Sequence, residues 1–280
     1  IGFYPDEEIP RVADADGSKI ISLGSDITSA KFIPDPSLGK PSVTMRNIES
    51  LNGTFTHVVI TREDVIIISD RFGSTSIFFA RSQAGELILS TGYQSLLRHL
   101  SEEEAGKLQE NSIFEFLYMR RLFGQKTYHE NIRRVSPACV MRFCLNSRRL
   151  DQDIYWTPNC QQISREDDAS ELLADGIQKA TEMYLSTSEK KHGLLLSGGL
   201  DSRTLLAIGR ERYTSFTTAR LENNEVRVAS ELANLFGSEH IFLRRAEDYF
   251  ARHFFRSISL SNAMTTFYEC QFIDFVDDLA

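Results

Sequence analysis

The chain has 280 residues, 41% hydrophobic and 25% charged, with a formal net charge of −8. Such a chain can build one large or two ordinary hydrophobic cores, so a disordered or fibrous protein is excluded. The acidic balance argues against nonspecific nucleic-acid binding, no apolar run reaches the ~18 residues of a membrane helix, and no basic-then-apolar leader opens the chain; a free cytoplasmic protein is expected.

The first half reads as strands and turns. Thr54–Thr61 and Val65–Ser69 are β-branched runs separated by Arg62-Glu63-Asp64, a hairpin pattern. Ser76–Arg81 and Glu86–Ser90 repeat it across Gln83-Ala84-Gly85. Two helical patterns follow Gly92: Tyr93–His99, and Ile113–Arg121, where Ile113, Phe116, Leu117 and Met119 or Arg120 fall at helical offsets. Short strands return at Val140–Cys144 and Ile154–Trp156. The polar, turn-rich stretch Pro158–Asp168 then predicts a boundary, giving domains 1–157 and 158–280.

Beyond the boundary, helix and strand alternate. The pattern predicts a helix at Glu166–Ser186, a strand at Leu194–Leu196, a helix at Asp201–Arg212 and a strand at Thr214–Thr218. Next comes an amphipathic helix at Glu225–Phe236, with Val228, Leu232 and Leu235 on its apolar face and Gly237 as its stop. A strand at His240–Leu243 and helices at Glu247–Ile258 and Thr266–Ala280 complete the reading. Such alternation implies a parallel sheet covered by helices, with ligands bound beyond the carboxyl ends of its strands.

One strand end carries chemistry. Leu194-Leu195-Leu196 suits a buried strand, and Ser197-Gly198-Gly199-Leu200-Asp201-Ser202 breaks it into a helix N-terminus. Glycines allow close backbone approach, and the free N–H groups and helix dipole favour an anion. The Ser197 and Ser202 hydroxyls can donate to phosphate oxygens. Asp201 would repel a bare phosphate, so its natural role is to hold a bridging Mg²⁺. Any one of these residues could serve only as a turn or N-cap; the combination reads as the pyrophosphatase-type ATP loop, whose enzymes split ATP into AMP and pyrophosphate. The Gly-x-x-x-x-Gly-Lys and Gly-x-Gly-x-x-Gly alternatives are absent. The cysteines (Cys139, Cys144, Cys160, Cys270) lack metal-ligand spacing and read as reduced structural thiols, and none of the six histidines shows paired metal spacing.

The loop alone does not choose among synthetases for GMP, NAD, argininosuccinate or asparagine, or tRNA-thiolating enzymes. Asp70-Arg71-Phe72-Gly73, after the hairpin that begins Leu51-Asn52-Gly53-Thr54-Phe55, resembles a segment of class II glutamine amidotransferase domains. Phe123–Phe143, with Gly124, Thr127, Ile132, Pro137 and Arg142-Phe143, resembles the stretch that connects that domain to a synthetase half. Over residues 51–245 this order is similar to asparagine synthetase and its relatives, which include β-lactam synthetases and lasso-peptide cyclases.

The resemblance implies an α/β chain: an N-terminal α+β amidotransferase-like β-sandwich, then a parallel-sheet domain of the adenine nucleotide α-hydrolase type. It implies an amide-forming ligase that uses ATP and Mg²⁺ to make an acyl-adenylate of aspartate or a related acid. Its partners would be that small-molecule carboxylate and an amine donor, and it leaves room for a homodimer. By position, Ser197, Gly198, Gly199, Asp201 and Ser202 take the pyrophosphate and magnesium roles. Leu196 would lie near the nucleoside, and the Thr218 backbone would meet adenine. Asp70 matches an amino-group-binding Asp of glutaminases, or is a hairpin residue paired with Arg71.

There are departures. The family's glutaminase nucleophile is a Cys at the mature N-terminus, whereas residue 1 is Ile and the first cysteine is Cys139. No Asn-Gly-Glu glutamine-binding segment occurs in residues 1–50. The expectation is a trimmed N-terminus or an amidotransferase-like remnant without glutaminase activity. A second nucleotide segment and a pyrophosphate-binding Lys would lie past Ala280, so an incomplete synthetase domain is expected. The competing reading is a nucleotide-holding scaffold or paralogue without turnover; a tRNA-modifying enzyme fits the acidic charge and the front half less well.

Overall fold

A run of four β-branched residues, Val65–Ile68, is stable only in a strand buried on both faces, because successive side chains point to opposite sides. The computed structural model, which describes residues 11–15, 18–26, 48, 51–100, 106–160, 165–186 and 192–275, places this run in such a strand. Two units divide the chain: residues 1–159 with 258–266, and residues 160–257 with 267–280. The fold is mixed α/β.

In the first unit, β1 (Arg11–Ala15), β2 (Ser18–Asp26), β3 (Gly53–Ile60) and β4 (Asp64–Ser69) join β8 (Cys139–Cys144) and β9 (Leu150–Ile154) in a six-stranded antiparallel sheet ordered β1-β2-β3-β4-β8-β9. A second antiparallel sheet pairs β6 (Leu87–Ser90), β5 (Phe78–Arg81) and β7 (Ile132–Arg134) in that order. Ile67 and Met141 on one face of the first sheet pack with Phe79 of the second and with Ile77 just before its central strand. On the opposite face of the first sheet, Ile66 and Ile68 pack with Phe55, Ile48, Leu51 and Tyr155. The far side of the small sheet, through Phe78 and Ala80, buries Tyr93 and Leu96 of α1 (Tyr93–Leu97) together with Leu122. Helix α2 is Glu110–Met119.

The hairpins expected here form, and β9 begins four residues before the strand expected at Ile154–Trp156. Residues 258–266 also belong to this unit. Asn262 accepts a hydrogen bond from the Tyr93 amide at 2.7 Å, Tyr128 donates to the Ala263 carbonyl at 2.6 Å, and Met264 enters the core beside Tyr93. The division therefore differs from a single piece over 158–280.

In the second unit, β10 (His192–Leu195), β11 (Tyr213–Ala219) and β12 (Glu239–Arg244) form a parallel sheet with β11 central. Its helices are α3 (Glu166–Leu185), α4 (Leu200–Gly209), α5 (Asn224–Phe236) and most of α6 (Tyr249–Leu260), whose last three residues fall in the first unit. Three acidic residues, Glu166, Asp167 and Asp168, open α3 and complement its dipole. Helix α5 is capped at both ends: the Asn223 side chain accepts from the Val226 amide at 3.0 Å, and Gly237 takes a left-handed φ of 72° while Ser238 donates to the Ala233 carbonyl.

Leu194, Leu196, Leu206, Tyr213, Ala229 and Ala233 form the core on one face of this sheet. Two expectations are corrected here. The buried face of α5 is Val226, Ala229 and Ala233, while Leu235 stands 75% exposed, because small alanines let the helix approach the sheet closely. Leu195 is 48% exposed, so the leucine strand is buried on one face rather than two. The stretch expected as a helix at Thr266–Ala280 holds short 3₁₀ turns at Phe267–Cys270 and Ile273–Phe275, and its last five residues lie outside the described ones.

Candidate functional site

The loop begins where β10 ends. The Leu196 amide donates to the Phe216 carbonyl at 2.8 Å, and the Leu196 carbonyl accepts from the Thr217 hydroxyl at 2.5 Å. The Thr217 proton is thereby committed to Leu196, so Thr217 can only accept from His240 Nε2, 2.9 Å away. That geometry assigns the neutral Nε2–H tautomer to His240, in keeping with burial that lowers its pKa. These bonds fix the strand end from which the loop departs.

The chain then turns on Gly198, whose φ is +74°. A Cβ there would lie 3.0 Å from Val228 Cγ1 on α5, so the backbone conformation favours glycine and a larger residue would crowd Val228. Gly199 is the N-cap of α4 and offers no side-chain cap. Neither Asp201 nor Ser202 is the N-cap, which removes that bland explanation for both. Ser197 Oγ accepts from the Gly199 amide at 3.3 Å, and Ser202 Oγ accepts from the Ser197 amide at 3.4 Å. The two hydroxyl oxygens are 3.4 Å apart. Ser197, Gly199, Leu200 and Asp201 face solvent, so an uncapped helix start, two hydroxyls and a carboxylate share one open surface.

Leu196 sits in the core at 1% exposure, with its backbone groups engaged as above. It can therefore offer a ligand position but no side-chain contact. Thr218, next to the end of β11, has a buried hydroxyl with no hydrogen-bond partner among the described residues. Its side chain faces the sheet side opposite Thr217.

Asp201 fits a magnesium role through donor chemistry. An exposed carboxylate in the first turn of α4 can supply one oxygen ligand, and Mg²⁺ is commonly held by one or two carboxylates plus substrate phosphates and water. No cluster of three His, Cys, Asp or Glu able to hold a metal unaided exists among the described residues.

Asp70 lies in the other unit and is 1% exposed. Its carboxylate accepts from the amides of Phe55 (3.2 Å), Phe72 (2.8 Å) and Ser74 (3.1 Å). Its backbone carbonyl accepts from Gly73 and Ala138. This carboxylate is consumed in holding the Asp70–Ser74 turn, which supports the structural alternative over glutamine binding. The Arg71 pairing suggested by sequence is replaced by backbone amides, and the Arg71 guanidinium stands 5.7 Å from the Trp156 ring centroid. Cys139 is buried, and burial pushes its thiol up to about 11, which fits a core residue rather than a thiolate nucleophile.

Sequence reasoning missed Arg203. Helical side chains tilt toward the N-terminus, so a residue in the first turn reaches back over the loop. Arg203 Nη2 donates to the Gly198 carbonyl at 2.8 Å. That geometric rule, applied to the helix beginning at Leu200, was the available signal.

Comparison with known proteins gives two family matches. Residues 172–273 match asparagine synthase, and residues 43–156 match a glutamine amidotransferase domain. A comparison with curated proteins gives no match. Among solved structures, the chain is similar to glutamine phosphoribosylpyrophosphate (PRPP) amidotransferase from B. subtilis complexed with ADP and GMP, at 8% identity and a TM-score of 0.34. The alignment covers 87% of this chain and 52% of that one, so the chain spans about half the length of that protein. No helix among the described residues is long and apolar enough to cross a membrane. With an amidotransferase-type segment followed by a synthase-type segment, the chain is a relative of the asparagine synthetase family.

Proposed function

We propose that this chain is the nucleotide-binding part of an ATP-dependent, amide-forming ligase that acts in the cytoplasm. The observation that carries the reading is the Ser197–Ser202 loop, an uncapped helix start beyond the end of a parallel strand with both serine hydroxyls in reach. The reading keeps the sequence-based assignment of an amidotransferase-like front (1–157) and an ATP-binding part (158–280), with residues 258–266 folded into the first unit.

In the proposed reaction a substrate carboxylate oxygen, from aspartate or a related acid, bonds to the α-phosphorus of ATP. The bond from that phosphorus to the bridging oxygen breaks, and pyrophosphate leaves with the electron pair. Ammonia, glutamine-derived nitrogen or another amine then bonds to the activated carbonyl carbon, AMP leaves with its electron pair, and the amine loses a proton to solvent. The loop amides and the Ser197 and Ser202 hydroxyls hold phosphate oxygens where negative charge gathers. Asp201 would hold Mg²⁺, which would neutralise part of the triphosphate charge. Glycine at 198 keeps the backbone close enough for these contacts.

The test is pyrophosphate release by the full-length protein with ATP, Mg²⁺, aspartate and ammonia, followed by other amines. Release that depends on the acid supports the ligase. Nucleotide binding without release for any acid and amine pair would instead make the protein a nucleotide-holding scaffold.

A further inference from the structure

The loop carries its own cation. Arg203 is exposed, and its guanidinium is fixed against the loop by the 2.8 Å bond from Nη2 to the Gly198 carbonyl. Arg203 also donates its backbone amide to the Gly199 carbonyl at 3.1 Å, so its Cα is locked in the first turn of α4. A guanidinium has five N–H donors in a planar fork that matches phosphate oxygens two at a time. One donor holds the loop, and no carboxylate pairs with the rest among the described residues.

Other cations at the carboxyl edge of the sheet are differently engaged. Arg220 pairs with Glu247 at 2.6 Å, Arg244 donates to the Arg220 carbonyl, and Arg245 lies over the Phe250 ring. Arg203 is therefore the positive group built into the loop, on the same turn as Asp201.

We infer that Arg203 is a phosphate-binding residue that recognises the pyrophosphate portion of the nucleotide, bracing Gly198 with one nitrogen and receiving oligophosphate oxygens with the others. The inference rests on the nucleotide reading of the same loop and adds to it a residue and a discrimination: oligophosphates over the monophosphate product. An arginine on the leaving group retains pyrophosphate rather than AMP, because AMP carries none of the oxygens that Arg203 holds.

The experiment is calorimetric titration of the full-length protein and its Arg203→Gln and Arg203→Lys variants with Mg²⁺ and, separately, ATP, AMP and inorganic pyrophosphate. Glutamine can still donate to the Gly198 carbonyl but has no charge; lysine keeps the charge but not the fork. Losing a charge-assisted pair weakens ATP and pyrophosphate by about tenfold or more in Arg203→Gln, with AMP changing by less than about twofold. Arg203→Lys falls between. Unchanged melting temperatures check that the variants fold.

Equal losses for AMP and ATP would show that Arg203 only braces the loop, and unchanged affinities would show that it touches no phosphate; either overturns the inference. If wild type binds pyrophosphate but not ATP, the nucleotide reading fails while a pyrophosphate loss in Arg203→Gln still upholds Arg203. If wild type binds none of the three, both fail.

Discussion

Val228 on α5 stands 3.0 Å from the point that a Cβ on Gly198 would occupy, so the helix behind the loop sets the residue within it. Gly198→Ala meets two separate obstacles. At φ +74° an L-residue is strained by about 1–2 kcal/mol, and the Val228 methyl adds a contact cost. The expected outcome is a lower urea midpoint together with loss of nucleotide binding. Val228→Ala added to Gly198→Ala should recover the contact share and leave the backbone share, a coupling that a double-mutant cycle measures.

Asp201 is exposed and makes no cap, so its removal should cost little stability in the absence of ligand. Asp201→Ala should nonetheless abolish the rise in melting temperature produced by ATP with Mg²⁺, because a ligand stabilises only through its affinity for the folded state. A shift in the variant equal to that of wild type would remove the metal role.

Asp70 is expected to behave in the opposite way. Asp70→Ala leaves the buried amide of Phe55 without its acceptor and removes the part-buried bonds from the Phe72 and Ser74 amides. With about 1–3 kcal/mol for a buried donor left unsatisfied, the Phe55 amide alone should cost the first unit about that much. Asp70→Asn, which keeps one carbonyl acceptor, should lose less. Chemical denaturation monitored in both variants checks the order, and Asp70→Ala with wild-type stability would contradict it.

His240 gives a pH dependence with a definite sign. Burial depresses its pKa below 6.5 in the folded chain, while the unfolded chain keeps the ordinary value. The contribution is fully present above about 6.5, where both states are neutral. As pH falls below that value the unfolded chain takes up a proton that the folded chain resists, and stability declines until the folded-state His240 also protonates. Protonated Nε2 remains a donor to Thr217, so the loss comes from burying charge rather than from breaking that bond. Urea midpoints measured from pH 7.5 to 5.5 should fall, and His240→Gln should flatten that part of the slope.

The parts of this molecule legible in its sequence are those where one local rule decides. Alternating apolar runs gave the hairpins, and Gly237 stops α5 because only a left-handed residue closes that cap. The loop was readable because glycine, hydroxyl and carboxylate fall in one order between a strand and a helix. Other features depend on neighbours distant in sequence. Ala229 and Ala233 carry little hydropathy, so the pattern pointed to Leu235, whereas the close fit of helix to sheet selected the small residues. Asp70 read equally as a ligand-binding acid or a hairpin residue, because its type is visible and its amide partners, fifteen residues back at Phe55 and across the turn at Ser74, are not. Asn262 and Met264 join the first unit through tertiary bonds that no periodicity encodes.

The hydrogen bonds among Ser197, Gly199 and Ser202 are 3.3–3.5 Å long, at the weak end of their kind. They are strong enough to preset the shape of the loop and weak enough to be surrendered. A phosphate oxygen arriving there exchanges long neutral contacts for short charge-assisted ones, with little backbone left to organise. Association at this loop should therefore be quick to complete once contact is made, release enough heat to register at 25 °C, and discriminate chiefly through the rate at which the ligand departs.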